Sequence, residues 1–116
     1  METWRLLDTG KRSAAENMCL DETILQAKAE GIVPNTLRFL QFRPHACLVG
    51  FHQSVEQEIR EDYCKRTGIE INRRITGGGA IYFGEDTLGW ELIAGKDAAS
   101  RDVVGLYRLL CDAGIQ

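Results

Sequence analysis

The amino-acid sequence predicts an α+β fold with a mixed or antiparallel sheet and flanking helices. Three observations carry this. Six short β-rich segments stand against three helical ones, and the β-rich segments follow one another across turns in hairpin-like pairs instead of alternating strictly with helices. The chain has 116 residues, 44% of them hydrophobic, which suffices for one compact domain with a core and not for two.

Residues 4–8 read as a short strand. Ser13 and Glu16 have the capping-box spacing that opens a helix, which should run to about Glu30 and stop at Gly31. Its apolar residues fall on two arcs, Met18, Leu25 and Ala29 on one and Leu20, Ile24 and Ala27 on the other, so more than one side should be covered. Residues 36–42 (TLRFLQF) and 46–51 (ACLVGF) are rich in β-formers, and Arg43-Pro44-His45 reads as a turn that pairs them. Ser54 and Gln57 repeat the capping-box spacing. Val55, Ile59 and Tyr63 then recur every four residues until Gly68 closes a second helix. Glu56, Glu58, Glu61 and Asp62 suit the positive end of that helix dipole. Residues 69–75, 80–83 and 88–94 complete the strands, joined by a glycine run and by a polar turn at Gly84-Glu85-Asp86. A last helix opens at Ser100, aligns Val103, Leu106, Tyr107 and Leu110, and ends at Gly114.

A formal net charge of −3 argues against a polyanion-binding surface, since nucleic-acid binding depends on concentrated Lys and Arg. Cys19, Cys47, Cys64 and Cys111 form no CxxC or Cys/His cluster, so neither zinc nor a disulfide framework is indicated and reduced, core-packed thiols are expected. No segment has the length and apolarity of a signal peptide or a membrane span, from which a cytoplasmic location is expected. His45 and His52 lack the neighbours of a catalytic set.

The chemically informative stretch is Arg73-Arg74-Ile75-Thr76-Gly77-Gly78-Gly79-Ala80-Ile81-Tyr82, two cations and three glycines between strands. Successive glycines let backbone N–H groups form a concave nest for phosphate or carboxylate oxygens, and the arginines add bidentate charge-assisted bonds. A flexible hairpin turn flanked by surface arginines fits the same residues equally well. No GxxxxGK[ST] and no GxGxxG followed by a helix is present. Adjacent strand residues point to opposite faces, so only one arginine should face a pocket.

The run from Arg73 to Tyr82 resembles the signature Arg-Arg-x-Ser/Thr-Gly-Gly-Gly-Ala-hydrophobic-aromatic of the lipoate–protein ligases and octanoyltransferases. The resemblance extends to Trp4-Arg5, to Asn17-Met18-x-Leu20-Asp21-Glu22, to Leu37-Arg38-Phe39 and to Leu48-x-Gly50-x-x-Gln53, in the order of that family's N-terminal half. It implies a fold like the biotin/lipoate protein ligase and class II aminoacyl-tRNA synthetase core, here incomplete, with residues 1–116 as the N-terminal part of the catalytic domain. It also implies that Arg74, Thr76, Gly77, Gly78, Gly79, Ala80 and Tyr82 line an acyl-adenylate, with Arg74 favoured over Arg73 as the anion contact.

Three activities follow from the resemblance as expectations. The leading one is an ATP-dependent lipoate–protein ligase, truncated or working as one chain of a split enzyme, that forms lipoyl-adenylate from lipoate and ATP with magnesium and acylates a lysine of a lipoyl-domain protein. The second is an ATP-independent octanoyl or lipoyl transferase. The third is a noncatalytic ligand-binding or assembly subunit. Phe83-Gly84 replaces the His-Asp that commonly follows the motif in the ligases, and no residue aligns with the family's downstream lysine. Lys96 reads as a solvated loop residue. A second chain or a missing C-terminal half is therefore expected as a partner, with exposed apolar surface and sheet edges in its absence.

Overall fold

The computed structural model describes residues 3–95 and 103–115. Strand β1 (Trp4–Arg12) leads into helix α1 (Ala14–Ala29) and strand β2 (Asn35–Phe42). There follow β3 (Ala46–Val49), the short helices α2 (Val55–Glu58) and α3 (Glu61–Thr67), and β4 (Glu70–Arg73). Strands β5 (Ile81–Phe83) and β6 (Gly89–Ile93) come next, and α4 (Val103–Ile115) is last.

The strands make two mixed three-stranded sheets, ordered β1-β2-β6 and β4-β3-β5, each with one parallel and one antiparallel pairing. The α+β class and the mixed sheet agree with the sequence; the expected hairpin of β2 with β3 does not form. Helix α1 returns the chain parallel to β1, and β6 takes the other edge of β2, so both hydrogen-bonding edges of β2 are occupied. The chain crosses at Arg43-Pro44-His45, through a cis Arg43–Pro44 bond, and β3 starts the second sheet. The second sheet repeats the pattern: β3 and β4 lie parallel, with α2 and α3 between them in sequence.

Helix α1 starts as its sequence dictates. The Ser13 side chain accepts from the Glu16 N–H, and the Glu16 carboxylate accepts from the Ser13 N–H, satisfying donors that a helix start leaves open. Glu70 at the head of β4 accepts a further bond from the Ala14 N–H at 2.9 Å, which ties α1 to the second sheet. The second predicted helix is broken in two. Ile59 is extended (φ −125°, ψ 136°), and Ser54 makes no side-chain capping bond. A continuous helix would bring Glu58 within one turn of both Glu61 and Asp62, a like-charge repulsion that the break relieves.

The core joins the two sheets under α1. Ala14, Met18, Leu40, Phe42, Ala46 and Leu48 are buried together, and Phe83 packs against them with its ring centroid 4.7 Å from that of Phe42. Alternation along β2 turns Thr36, Arg38, Leu40 and Phe42 to this side. Of the four cysteines only Cys64 is fully buried and Cys47 partly so; Cys19 and Cys111 are exposed, because they fall on the outer faces of α1 and α4, and core packing does not account for them.

Helix α4 includes Gly114 in its last turn, where an added Cβ would lie 3.2 Å from the Trp90 ring. Tyr107, expected on its packed face, is exposed, as are Val104, Leu109 and Ile115. Ser100 and Lys96 lie outside the described residues. Among the described residues no helix is long and apolar enough to cross a membrane.

Candidate functional site

Residues 74–80 run irregularly between β4 and β5, and Arg73 at the end of β4 and Arg74 at the start of the loop do different work. The Arg73 Nη1 donates to three carbonyls of the turn after β3, those of Gly50 at 3.0 Å, Phe51 at 3.1 Å and Gln53 at 2.5 Å. Arg74 turns the other way, as adjacent residues of extended chain must. Its Nη1 donates to the carbonyls of Gly79 (2.9 Å) and Leu48 (3.2 Å), its Nη2 to that of Gly77 (2.7 Å), and its Nε to the Thr76 hydroxyl at 3.3 Å. The glycine loop is thus curled around the Arg74 guanidinium.

A second turn holds the loop in place. The Phe51 N–H donates to the Thr76 carbonyl at 2.9 Å, and the Arg74 N–H donates to that of Val49 at 2.9 Å. Gly50 is the point of closest approach: a Cβ there would lie 2.0 Å from the Gly78 carbonyl oxygen. The Gln53 side chain accepts from the Gly50 N–H at 2.8 Å and fixes this turn. Gly78, at φ +97°, takes a backbone conformation that side chains with a Cβ rarely adopt.

Beside the loop, between the two sheets, lies a cavity of about 380 Å³. Met18, Leu40, Phe42, Leu48, Phe83 and Ile93 contribute apolar walls, and Arg74 and Thr76 stand on its lining. An apolar slot with a cation beside it suits an amphiphile whose chain is desolvated and whose carboxylate or carbonyl lies near positive charge. The cavity brings together Arg74 and Thr76 of the sequence-predicted residues. Gly77, Gly78, Gly79 and Ala80 form the exposed loop next to it, whereas Arg73 braces the loop from behind. Tyr82 faces away. Opposite Cys47 on β3, it points into a second hollow, where its hydroxyl bonds His45 Nδ1 at 2.8 Å. In that hollow, burial and the adjacent Cys64 thiol push the Cys47 thiol up from its ordinary pKa.

A charge cluster at the cavity wall was not anticipated from the sequence. Arg38 is fully buried. Its Nη1 donates to Asp21 of α1 at 2.5 Å and to Glu91 of β6 at 3.0 Å, its Nε donates to the Thr9 hydroxyl at 3.1 Å, and its Nη2 bonds the Asn17 side-chain oxygen. Burial first, and then the hydrogen bond and charge of Glu91, raise the Asp21 carboxyl from 3.8 to about 8 against the opposing pull of Arg38. The signal was present in the strand's phase: Arg38 alternates with Thr36, Leu40 and Phe42, and a cation in step with core residues needs buried partners. These are the cavity's carboxylates, and both are engaged by Arg38; the described residues contain no group of three or more side chains suited to hold a metal ion.

The profile of the lipoyl protein ligase A/B catalytic domain matches residues 13–116. The chain belongs to the lipoyl protein ligase A/B catalytic domain family. The octanoyltransferase LipM of Moorella thermoacetica is 41% identical over 96 residues, which cover 83% of this chain and 35% of that protein. That of Symbiobacterium thermophilum is 39% identical over 109 residues, covering 93% of this chain and 39% of the relative. Among solved structures, lipoate-protein ligase A bound with ATP superposes with a TM-score of 0.80 at 30% identity, over 93% of this chain and 42% of that one. A bipartite lipoate protein ligase from Thermoplasma acidophilum, described with its E2 lipoyl domain, gives 0.78 at 26% identity, over 97% and 43%.

The chain therefore spans between 35% and 43% of the length of these relatives. The proteins it resembles include both lipoate ligases and octanoyltransferases. The lipoate ligase-like α+β fold expected from the resemblance is found, over the part of it that this chain covers.

Proposed function

We propose that this chain forms the acyl-binding part of an ATP-independent octanoyl or lipoyl transferase, with residues 1–116 as the N-terminal part of its catalytic domain and the lysine of a lipoyl-domain protein as acceptor. The observation that carries the choice is the set of curated relatives at 41% and 39% identity, which are octanoyltransferases. It favours transfer over the ATP-dependent ligase that the motif first suggested.

On this reading the apolar walls desolvate the acyl chain, each buried methylene contributing about 0.8 kcal/mol. Arg74 and Thr76 hold the acyl carbonyl end, where a positive charge stabilises negative charge developing on oxygen during transfer. Arg73 and Gly50 keep the loop in register for that contact.

The ligase remains the second reading because a lipoate-protein ligase A bound with ATP superposes so closely. Incubating the intact protein with octanoyl-acyl carrier protein and an apo lipoyl domain, without nucleotide, separates the two. Mass spectrometry should show octanoylated lipoyl domain, and Arg74→Ala should lower the rate at least about tenfold, the effect of losing roughly 1.4 kcal/mol of transition-state stabilisation. Modification that requires ATP and a free acid instead would establish the ligase.

A further inference from the structure

We propose that Asp21 and Glu91 hold a single proton between them at Arg38, and that this proton latches β6 to α1, so that the wall of the acyl cavity loosens as pH rises. The geometry comes first. Three elements each send one charged side chain to the same buried point: Asp21 from α1, Arg38 from β2 and Glu91 from β6. Both carboxyl groups converge on one guanidinium nitrogen, so they lie against each other as well as against the cation.

Charge counting then gives the proton. Arg38 is fully buried, and the Asp21 and Glu91 side chains keep only 15% and 24% of their exposure. One guanidinium balances one carboxylate, and a second ionised carboxylate would leave a net negative charge out of water, which a partly dry site resists by keeping a proton. The raised pKa of Asp21 agrees with this. The charged groups facing Asp21 are Glu91 and Arg38, and the neutral Asn17 and Thr9 complete the shell around the guanidinium.

The functional consequence follows from position. Asp21, Glu91, Trp90 and Ile93 all border the cavity, and among the described residues β6 is an edge strand paired with β2 alone. Losing the shared proton sets two carboxylates against each other across the α1–β6 contact and weakens that wall. The sign is fixed by linkage. In the closed wall the pair keeps a proton that a separated, hydrated pair releases above the ordinary carboxylate range, so opening releases one proton. The opening constant then rises about tenfold per pH unit until the raised Asp21 value of about 8 is passed, and levels off beyond it.

Amide hydrogen exchange on the intact protein tests this without any ligand, so the latch stands or falls separately from the acyl-transfer reading. In the wild type, protection factors of the amides in Gly89–Ile93, corrected for intrinsic exchange, should fall about tenfold per unit between about pH 5.5 and 7.5. Asp21→Asn leaves one carboxylate for one guanidinium and should abolish the slope, and Glu91→Gln provides the same test should Asp21→Asn not fold. Wild-type protection that is independent of pH, or an undiminished slope in the folded variant, overturns the latch.

Discussion

At the scale of single residues, the glycines of the site divide by what surrounds them. Gly50 has the Gly78 carbonyl where a Cβ would sit, whereas Gly77 and Gly79 have nothing within 4 Å of that position. Gly50→Ala must therefore push backbone against backbone, and urea denaturation should show a loss of about 1–3 kcal/mol, the usual cost of overpacking. Gly77→Ala and Gly79→Ala should stay within about 0.5 kcal/mol of wild type. If a ligand approaches the loop closely, these two variants should nonetheless weaken octanoate binding in calorimetric titration; unchanged binding would remove the loop backbone from the ligand contact. The motif was legible in the sequence as something unusual, but a nest and a turn fitted it equally. What the loop encloses was not legible, since the carbonyls around Arg74 include that of Leu48 on another strand. The opposite facing of Arg73 and Arg74 was readable from strand geometry alone.

At the scale of elements, the two Ser-initiated helices show when a capping spacing has force. The Ser13–Glu16 box forms both bonds, while Ser54 makes none. Ser13→Ala should cost about 1 kcal/mol, and Ser54→Ala no more than a few tenths. Urea midpoints followed by circular dichroism discriminate the two, and equal losses would mean that Ser54 caps in solution. The same contrast explains what sequence reading reached. Helix α1 was legible from Ser13 to its stop at Gly31, because caps and periodicity act within a few residues. The break at Ile59 depended on a balance between an apolar period of four and a run of acidic side chains, which periodicity alone does not resolve. Strand pairing was the largest miss: β2 and β3 are adjacent in sequence yet belong to different sheets, because β1 and β6 take both edges of β2. Which edge is free is a property of the assembled sheet.

At the scale of the whole molecule, two carboxyl groups with opposite shifts, one largely buried and one exposed, bear on how stability varies with pH. Asp21 has a folded pKa raised from 3.8 to about 8, so between those values the folded protein binds more protons than the unfolded chain. Stability from this group is fully present below its unfolded pKa and is lost as pH rises toward about 8. Glu16 has the opposite sign. Its hydrogen bonds with Ser13, side chain first, lower its pKa, so its contribution is present above 4.5 and is lost only as pH falls through the lowered value. The two effects occupy different windows and do not cancel between pH 5 and 8. The urea midpoint of the wild type should therefore decline across that interval and flatten above it. Asp21→Asn should flatten the whole interval, because no second carboxyl remains to hold the proton. A decline that persists unchanged in the variant would place its origin elsewhere in the chain. The shared proton would then be incidental to the fold, and the Arg38 cluster would be a fixed ion network joining α1, β2 and β6 at every pH where both carboxyls are ionised.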